Sequence, residues 1–216
     1  MPILARAYVQ AISSNYTRNE YRTMMKEIDS GNFTKMDSMH HLLAGCKGIF
    51  TNEAWVSLDI VRRSAGGAGY QAQSGLTEIL DNCSPNPTFE GENTVMILQS
   101  SRYLLKLVKA VQKSPEKVLP FPFTYISKVD ELLKIKDRVK SVNDLLDVKV
   151  LEQALAVRSA VLMRDTAMSI AQSKAVQKVK DNELFSEMKV DMVKAHINYT
   201  MFHICLKQIE DHPWKD

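Results

Sequence analysis

One acidic residue in this sequence stands where a carboxylate could act as a catalytic base. Glu90 lies in the segment Pro87-Thr88-Phe89-Glu90-Gly91, after an aromatic residue and before a glycine, where a loop turns into a predicted helix. A carboxylate against an apolar wall is a stronger base than one in water, which suits proton abstraction. A plainer interpretation stays open, because the helix dipole favours any acid near a helix N-terminus. Glu92 is the better candidate for that plainer role.

A cluster of glycines, Gly66, Gly67 and Gly69, precedes this acid in the sequence. The cluster follows a helical pattern and not a strand, so it is not the dinucleotide fingerprint of a βαβ unit. Its backbone N–H groups could meet a phosphate, or the glycines could simply end the helix. Arg62 and Arg63 lie in the last turn of that helix. There they could contact a phosphate or adenosine group of a neighbouring subunit, or complement the helix dipole.

The remaining polar candidates carry weaker signals. Arg102 lies on the predicted helix after Glu90, where it could pair with a carboxylate or lie in solvent. His196 and His203 could share a helix face, but no acid or cysteine stands three or four residues from either. A zinc site needs more ligands than that, so we predict no metal site.

The composition excludes several classes of protein. The chain has 216 residues, 45% hydrophobic and 25% charged, and its net charge of +3 is spread along the sequence. A nucleic-acid surface needs a basic face, and a membrane span needs an apolar run of roughly 20 residues; we predict neither. Three widely spaced cysteines predict buried thiols in a reducing compartment. We expect no secretory signal at the N-terminus and find no Ser-Lys-Leu peroxisomal address at the C-terminus.

Helical periodicity provides the elements that must position these residues. We predict a first helix that ends before the turn signal at residues 29–32, helices over 36 to about 63, 92 to about 112, 147 to about 180 and about 184–210, and a short helical or irregular piece over 76–82. Apolar residues at helical spacing mark the expected buried faces: Leu4, Tyr8, Ile12 and Tyr16 in the first helix; Leu42, Cys46, Ile49 and Phe50 in the second; Val148, Leu151, Leu155 and Leu162 in the helix from 147; and Val193, Ile197, Met201 and Ile204 in the last.

Asp147 is the predicted cap of the helix that begins there. Pro85 and Pro87 predict extended backbone before the helix that begins near residue 92. Prolines also exclude a regular helix over 113–128, and we predict an ordered linker there because its aromatic residues need a surface to pack against. The predicted fold is all-α: an up-down bundle over 1–112, a proline- and aromatic-rich linker over 113–146, and a long helical hairpin in a partial second helical domain over 147–216.

The residues also resemble a known family, the acyl-CoA oxidases, which are flavoprotein oxidases of fatty-acid β-oxidation. Three segments carry the resemblance: Thr88-Phe89-Glu90-Gly91-Glu92-Asn93-Thr94-Val95 followed by Leu98-Gln99 and Arg102; Arg62 with Gly66-Gly67-Ala68-Gly69-Tyr70 and Ser74-Gly75-Leu76; and Leu43-Ala44-Gly45-Cys46-Lys47. They cover residues 1–112 well, and 147–210 matches more weakly. The resemblance implies the C-terminal helical region of that family, whose bundle is similar to the C-terminal domain of acyl-CoA dehydrogenases. Those dehydrogenases share the Glu-Gly step but usually differ in the residues after it.

The resemblance implies roles for particular residues. Glu90 matches the base that removes the α-proton of an acyl-CoA thioester while hydride passes from the β-carbon to FAD. Oxygen then reoxidises the flavin, giving trans-2-enoyl-CoA and hydrogen peroxide. Gly66 and Gly67 match backbone that approaches the FAD of a partner subunit, and Glu92 and Thr94 match positions near its adenosine half. Arg102 matches a family arginine whose role, substrate binding, is the least specific of these.

The resemblance also implies missing parts. In the family an N-terminal helical domain and a central β-domain precede this region and supply most FAD and thioester contacts. The chain is therefore expected to be a gene fragment, a processed piece, a separate subunit or a degenerate paralogue, inactive by itself. A homodimer or a complementary chain would supply the rest, and family members are peroxisomal. Two other functions stay open: a non-catalytic scaffold or dimerisation module, and an enzyme like the acyl-CoA dehydrogenases. The intact Glu90 motif favours the oxidase over the scaffold, and Thr94-Val95 favours it over the dehydrogenase.

Overall fold

The computed structural model describes residues 2–135, 139–176, 179 and 184–211. Within these residues the secondary structure is helical and contains no strand, which confirms the all-α fold. The chain divides into two compact units, Met1–Gln99 and Ser100–Asp216. This boundary falls inside a long helix, and the domain limits at residues 112 and 146 stay a prediction.

Most helix ends lie close to the predicted positions, except the C-terminal end of the helix Val148–Gln172, and the short helix Val129–Leu132 was not predicted. In chain order they are α1 Pro2–Asp29, α2 Met36–Ser64, α3 Leu76–Cys83, α4 Asn93–Lys113, α5 Val129–Leu132, α6 Val148–Gln172 and α7 Ser186–Glu210. Short 3-10 segments cover Gly66–Gly69, Ala72–Ser74, Thr124–Lys128 and Val142–Leu146.

Helix α2 provides most of the core of the first unit, and it packs against both α1 and α3. The predicted apolar face is confirmed for Leu42, Cys46 and Ile49, which are buried. Burial raises the pKa of the Cys46 thiol to about 12, so this cysteine is a neutral core residue. The predicted apolar stripe of α1 is wrong at Leu4 and Tyr8, which are exposed. The buried positions of α1 are Ser13, Thr17 and Met24.

The second unit is built on the pairing expected of a helical hairpin, with α6 against α7. The predicted stripe of α7 is confirmed: Val193, Ile197, Met201 and Ile204 are buried. The predicted stripe of α6, Val148, Leu151, Leu155 and Leu162, is wrong at Val148, which is exposed, and its three leucines are only half-buried. The buried face of that helix carries the small or flexible residues Ala156, Ser159, Ala160, Met163 and Thr166. Small side chains let α7 approach closely, and Leu151, Leu155 and Leu162 lie together along one edge of this buried face.

The aromatic residues of the linker pack into the second unit, as predicted. Phe123, Tyr125 and Ile126 are buried. The hydroxyl of Tyr125 and Nδ1 of His196 on α7 are 2.9 Å apart, and the Phe123 ring stacks on the same imidazole with centroids 5.4 Å apart. His196 is thus a packed core residue.

The two ends of α6 test the sequence rules. The Asp147 side chain accepts a hydrogen bond from the Lys149 backbone N–H at 2.8 Å, which confirms the predicted cap. The predicted continuation of α6 to about residue 180 is wrong, because the helix ends at Gln172. Ser173 is extended, and its hydroxyl oxygen accepts a bond from the Ala175 N–H at 3.2 Å. The Ser173 side chain thereby satisfies a backbone N–H that would otherwise bond to a helix carbonyl, which favours the end of the helix here. Residues 177, 178 and 180–183 lie outside the described residues.

Two further findings concern membranes and metals. Among the helices that the structure describes, none combines the length and apolarity needed to cross a bilayer. Over the same residues, no group of three or more histidine, cysteine or acidic side chains is placed to hold a metal ion.

Candidate functional site

The candidate base lies in a tight loop, the Glu90 turn, which we define as residues 84–92 between α3 and α4. Extended backbone was predicted at its prolines, and this is wrong at Ser84, which precedes Pro85 yet keeps helical angles of φ −60° and ψ −31°. Its hydroxyl donates to the Asp81 carbonyl at 2.9 Å and its N–H to the Leu80 carbonyl at 2.9 Å, which continues the helix.

Backbone hydrogen bonds then fold the loop back on itself. The Pro85 carbonyl accepts from the N–H groups of Thr88 and Phe89, each at 2.9 Å. The Pro87 carbonyl accepts from the Asn93 N–H at 3.0 Å, which ties the loop to the first residue of α4. The Glu90 turn is therefore a closed structure with its own hydrogen bonds.

Glu90 has a left-handed backbone with φ +55°, and it is the one described non-glycine residue with positive φ. Such a conformation costs a side-chain-bearing residue roughly 1–2 kcal/mol, and it aims the side chain differently from a helical or extended residue. Gly91 follows with φ +107°, and a Cβ there would lie 2.6 Å from Sδ of Met96. The positive φ favours glycine at this position, and an added Cβ would in addition force the Met96 side chain to move.

The expectation that Glu90 lies against an apolar wall is wrong within this chain. Its side chain is exposed, and the preceding Phe89 is 52% exposed. The turn presents the carboxylate outward, so any wall around it must come from other chain segments.

Lys47 on α2 is hydrogen-bonded to the Glu90 turn. Its ammonium donates to the Gly91 carbonyl and, at 2.9 Å, to Oδ1 of Asn93. The Thr51 hydroxyl, one helical turn further on, lies 3.0 Å from the same Oδ1. Asn93 is buried. This polar cluster, Lys47, Thr51 and Asn93, joins α2 to both the turn and the start of α4.

Glu92 occupies the helix-start role that the sequence suggested for it. Its carboxylate accepts from the Val95 N–H at 3.1 Å and from the Thr94 hydroxyl at 3.2 Å. Hydrogen bonding from the Thr94 backbone, more than any other contact, lowers the pKa of the Glu92 carboxyl; the Val95 N–H and the Lys47 charge act in the same direction. Glu92 and Thr94 are both exposed and lie at the N-terminus of α4.

The glycine cluster lies at the C-terminal end of α2. Gly66 has φ +59°, and a Cβ at Gly66 or Gly67 would meet nothing within 4 Å. Gly69 is different, because a Cβ there would lie 1.9 Å from the Arg62 carbonyl oxygen. Gly66 and Gly67 thus present open backbone at the surface, whereas Gly69 is required by packing.

The arginines near the cluster share one acid. Nη2 of Arg62 lies 2.7 Å from Oδ1 of Asp59, and Nε of Arg63 lies 2.9 Å from Oδ2. The hydrogen bond from Arg62 is the largest cause that lowers the pKa of Asp59. Arg102 is exposed on the part of α4 that belongs to the second unit.

A groove of about 560 Å³ lies between α1 and α2 in the first unit. It is lined by Ser14, Thr17, Arg18 and Tyr21 from α1 and by Leu43, Cys46, Lys47, Phe50 and Thr51 from α2. Lys47 therefore lines this groove while its ammonium reaches the Glu90 turn.

Reasoning from the sequence missed the polar cluster. The motif Leu43-Ala44-Gly45-Cys46-Lys47 contains Lys47 but indicates no role for it, and Thr51 lies outside the three motifs. One signal was available: Lys47 is the only Lys, Arg, Asp or Glu between Asp37 and Glu53. A lone charge in a buried helical stretch needs partners, and it points to a hydrogen-bonded site.

Three comparisons with known proteins each find similarity to acyl-CoA oxidases. Residues 1–105 match the family model described as the acyl-CoA oxidase C-alpha1 domain. Mouse peroxisomal acyl-coenzyme A oxidase 1 is 29% identical over 219 residues, which cover 97% of this chain and 33% of that protein. The Caenorhabditis elegans acyl-coenzyme A oxidase acox-1.4 is 34% identical over 126 residues, 58% of this chain and 19% of that protein. The chain thus spans about a third of the length of the mammalian relatives it matches.

Solved structures share the fold. Acyl-CoA oxidase 1 of Arabidopsis thaliana has a TM-score of 0.85 and 24% identity, over 97% of this chain and 31% of that one. Acyl-CoA oxidase-2 of Caenorhabditis elegans, solved with FAD, ascaroside-CoA and ATP, has a TM-score of 0.83 and 22% identity, over 97% of this chain and 30% of that one.

Proposed function

Because fold and sequence alike are those of the C-terminal helical region of acyl-CoA oxidases, we propose that this chain is a segment of an FAD-dependent acyl-CoA oxidase of fatty-acid β-oxidation. The reaction converts acyl-CoA and O₂ to trans-2-enoyl-CoA and H₂O₂, and Glu90 removes the α-proton. The observation that carries the proposal is the Glu90 turn at the N-terminus of α4. In this turn Glu90 has a left-handed backbone and an exposed carboxylate.

The carboxylate of Glu90 has one task in this reaction. It takes the proton from the carbon next to the thioester carbonyl, which is a very weak acid. The transfer is favourable only if water is excluded from the carboxylate and hydrogen-bond donors meet the thioester oxygen as negative charge develops there. Since Glu90 and Phe89 are exposed, those donors and that apolar enclosure come from segments outside the described residues.

The residues at the end of α2 fit the approach of FAD from a partner subunit. Gly66 and Gly67 expose backbone with nothing within 4 Å of a Cβ position, so a cofactor can reach their peptide groups. Glu92 and Thr94 offer an exposed carboxylate and hydroxyl for polar groups of its adenosine half. When bound, FAD supplies the acceptor for the hydride that leaves the β-carbon. Arg102 is an exposed cation suited to an anionic part of acyl-CoA.

The proposed assembly is a homodimer, or a complex with a complementary chain, in the peroxisome. Mammalian relatives are named as peroxisomal enzymes, and this chain covers only a third of their length. The substrate is a fatty acyl-CoA. Neither the CoA nor the flavin is enclosed by this segment alone.

A non-catalytic scaffold or dimerisation module is the second candidate, and one observation favours it. The C-terminal half of α2 exposes apolar side chains: Trp55 at 40%, Val56 at 38%, Ile60 at 37% and Val61 at 38%. An apolar surface of this kind is suited to burial against another domain or chain. An oxidase would bury the same surface against further domains, so only the chemistry of Glu90 separates the two. A dehydrogenase-like enzyme, the third candidate, would reduce an electron-transfer partner and produce no peroxide.

The deciding experiment removes the base without changing its shape. In the longest native protein that contains this chain, Glu90→Gln abolishes peroxide formation from acyl-CoA, while the far-UV circular dichroism and the thermal unfolding midpoint stay unchanged. Glu78→Gln is the matched control, because Glu78 is an exposed acid on α3 of the same unit. Full peroxide production by Glu90→Gln would refute the assignment of the base. Reduction of an artificial electron acceptor without peroxide, by the unmodified protein, would support the dehydrogenase.

A further inference from the structure

We propose that Lys47 is a positioning residue: its ammonium holds the Glu90 turn in the left-handed conformation that aims the Glu90 carboxylate. This inference rests on the proposed function for its catalytic part and on the contacts of the turn for its structural part. Two residues in a row, Glu90 at φ +55° and Gly91 at φ +107°, depart from the conformations that side-chain-bearing residues prefer. A turn of this kind persists only when its surroundings over-determine it.

Both acceptors of the Lys47 ammonium lie just after Glu90 in the chain. The carbonyl that it binds belongs to Gly91, the residue directly after Glu90, and the side-chain oxygen that it binds belongs to Asn93, the first residue of α4. A charged donor makes a stronger hydrogen bond than a neutral one. One cation therefore fixes the orientation of the peptide group between Gly91 and Glu92 relative to the helix that begins at Asn93.

The surrounding residues place Lys47 rigidly. The Thr51 hydroxyl lies 2.8 Å from the Lys47 carbonyl oxygen and 3.0 Å from Oδ1 of Asn93, and its single proton can be donated to either oxygen, so Thr51 packs against both Lys47 and the acceptor that Lys47 uses. At the neighbouring Gly48, an added Cβ would lie 2.6 Å from Cγ1 of Ile97 and 3.1 Å from the Asn93 carbonyl. Glycine at this position lets α4 approach α2 closely enough for the ammonium to reach the turn.

The position of Lys47 separates it from a base or a ligand group. Its nitrogen binds the Gly91 carbonyl within the turn and the side-chain oxygen of Asn93 at the start of α4. The side chain of Glu90, in contrast, is exposed to solvent. Lys47 acts on the reaction through the turn alone, so its loss should lower kcat and leave KM nearly unchanged.

The test compares three variants of the longest native protein that contains this chain. Lys47→Met removes the charge and the donor, Lys47→Arg keeps both, and Lys26→Met removes an exposed lysine of α1 as the matched control. The first readout is the one-bond Cα–Hα coupling of Glu90 in the NMR spectrum, which distinguishes positive from negative φ. The second is the steady-state rate of acyl-CoA oxidation.

We expect Lys47→Met to lose the positive-φ signature and to lower kcat by about tenfold to a hundredfold, the size expected for a misplaced reacting group, with KM changed less than about threefold. Lys47→Arg restores most of both signals, and Lys26→Met changes neither. Should Lys47→Met fail to fold, Lys47→Gln keeps a neutral, shorter donor, and the same expectations apply with smaller changes.

The outcomes separate the positioning role from the proposed function. A retained positive-φ signature in Lys47→Met overturns the positioning role, whatever the activity. A lost signature with unaltered oxidation leaves the positioning of the turn standing and overturns Glu90 as the base. A lost signature that Lys47→Arg does not restore also overturns the inference, because the charged donor would then not be the cause.

Discussion

Replacement of Gly91 by alanine tests the geometry of the Glu90 turn directly. Two penalties are expected. Alanine at positive φ costs roughly 1–2 kcal/mol. The new Cβ would also lie 2.6 Å from Sδ and 3.1 Å from Cγ of Met96, which forces that half-buried side chain off its rotamer at a cost of about 0.5–1.5 kcal/mol. We expect Gly91→Ala to lower the free energy of unfolding by about 1.5–3.5 kcal/mol.

Gly31→Ala is the matched control, because Gly31 also has positive φ, +86°, but a Cβ there would meet nothing within 4 Å. It carries the conformational penalty without the steric one, so its loss should be smaller by about 1 kcal/mol. Both variants are compared by urea unfolding followed by far-UV circular dichroism.

A double-variant cycle isolates the contact. Met96→Ala removes the sulfur, so Gly91→Ala should cost about 1 kcal/mol less in that background. Equal losses for Gly31→Ala and Gly91→Ala, with no coupling to Met96, would refute the described packing of the turn. Unchanged stability in Gly91→Ala would refute its strained backbone.

Three other predictions concern the site and the core. The 216-residue chain purified alone should carry no stoichiometric FAD, because one face of the cofactor would be open to water; a flavin absorbance band at one equivalent would contradict this. Buried Cys46, with its thiol pKa raised to about 12 by desolvation, should react with iodoacetamide at neutral pH far more slowly than Cys83, and mass spectrometry of timed samples measures the order. The folded-state pKa of Glu92 is lowered, so its stabilising effect is complete above the ordinary glutamate value and is lost as pH falls through the folded value. Glu92→Gln should flatten this part of an acid unfolding curve, and identical curves would disprove the N-terminal capping contacts.

The positions of the helices could be predicted from the sequence because their signals are local. Asp147 precedes an apolar run and caps α6, and the prolines after Lys113 keep the following segment from becoming a long helix. The face of α7 was equally clear, since its branched and long apolar residues recur at helical spacing. These properties depend on neighbours within one or two turns.

The packing face of α6 shows where such reasoning stops. Leucines mark its most hydrophobic stripe, yet Ala156, Ala160 and Ser159 are the buried residues. Hydrophobicity measures the transfer of a side chain from water, whereas the approach of two helices depends on how small the facing residues are. Sequence periodicity does not report which of the two decides.

The sequence identifies Glu90 as a candidate base but gives no information on the geometry of the turn that carries it. Glu90 was identified from its neighbours, but its left-handed backbone and its exposure follow from how α2 and α4 hold the turn. The partner in that interaction, Lys47, stands 44 positions from Gly91 in the sequence. Contacts over such distances are set by the tertiary fold, so a single sequence without relatives carries no direct signal for them.

The bond between Tyr125 and His196 has a consequence for how this polypeptide can be divided. The two residues are 71 positions apart and both lie in the interior. A recombinant product that stops within or just after the linker would leave a buried phenol without its imidazole and the linker's aromatic rings without a surface to cover. The shortest soluble expression product of the second unit therefore extends through α7, and boundaries for truncation, fusion or segmental isotope labelling belong outside the interval from Leu119 to Cys205.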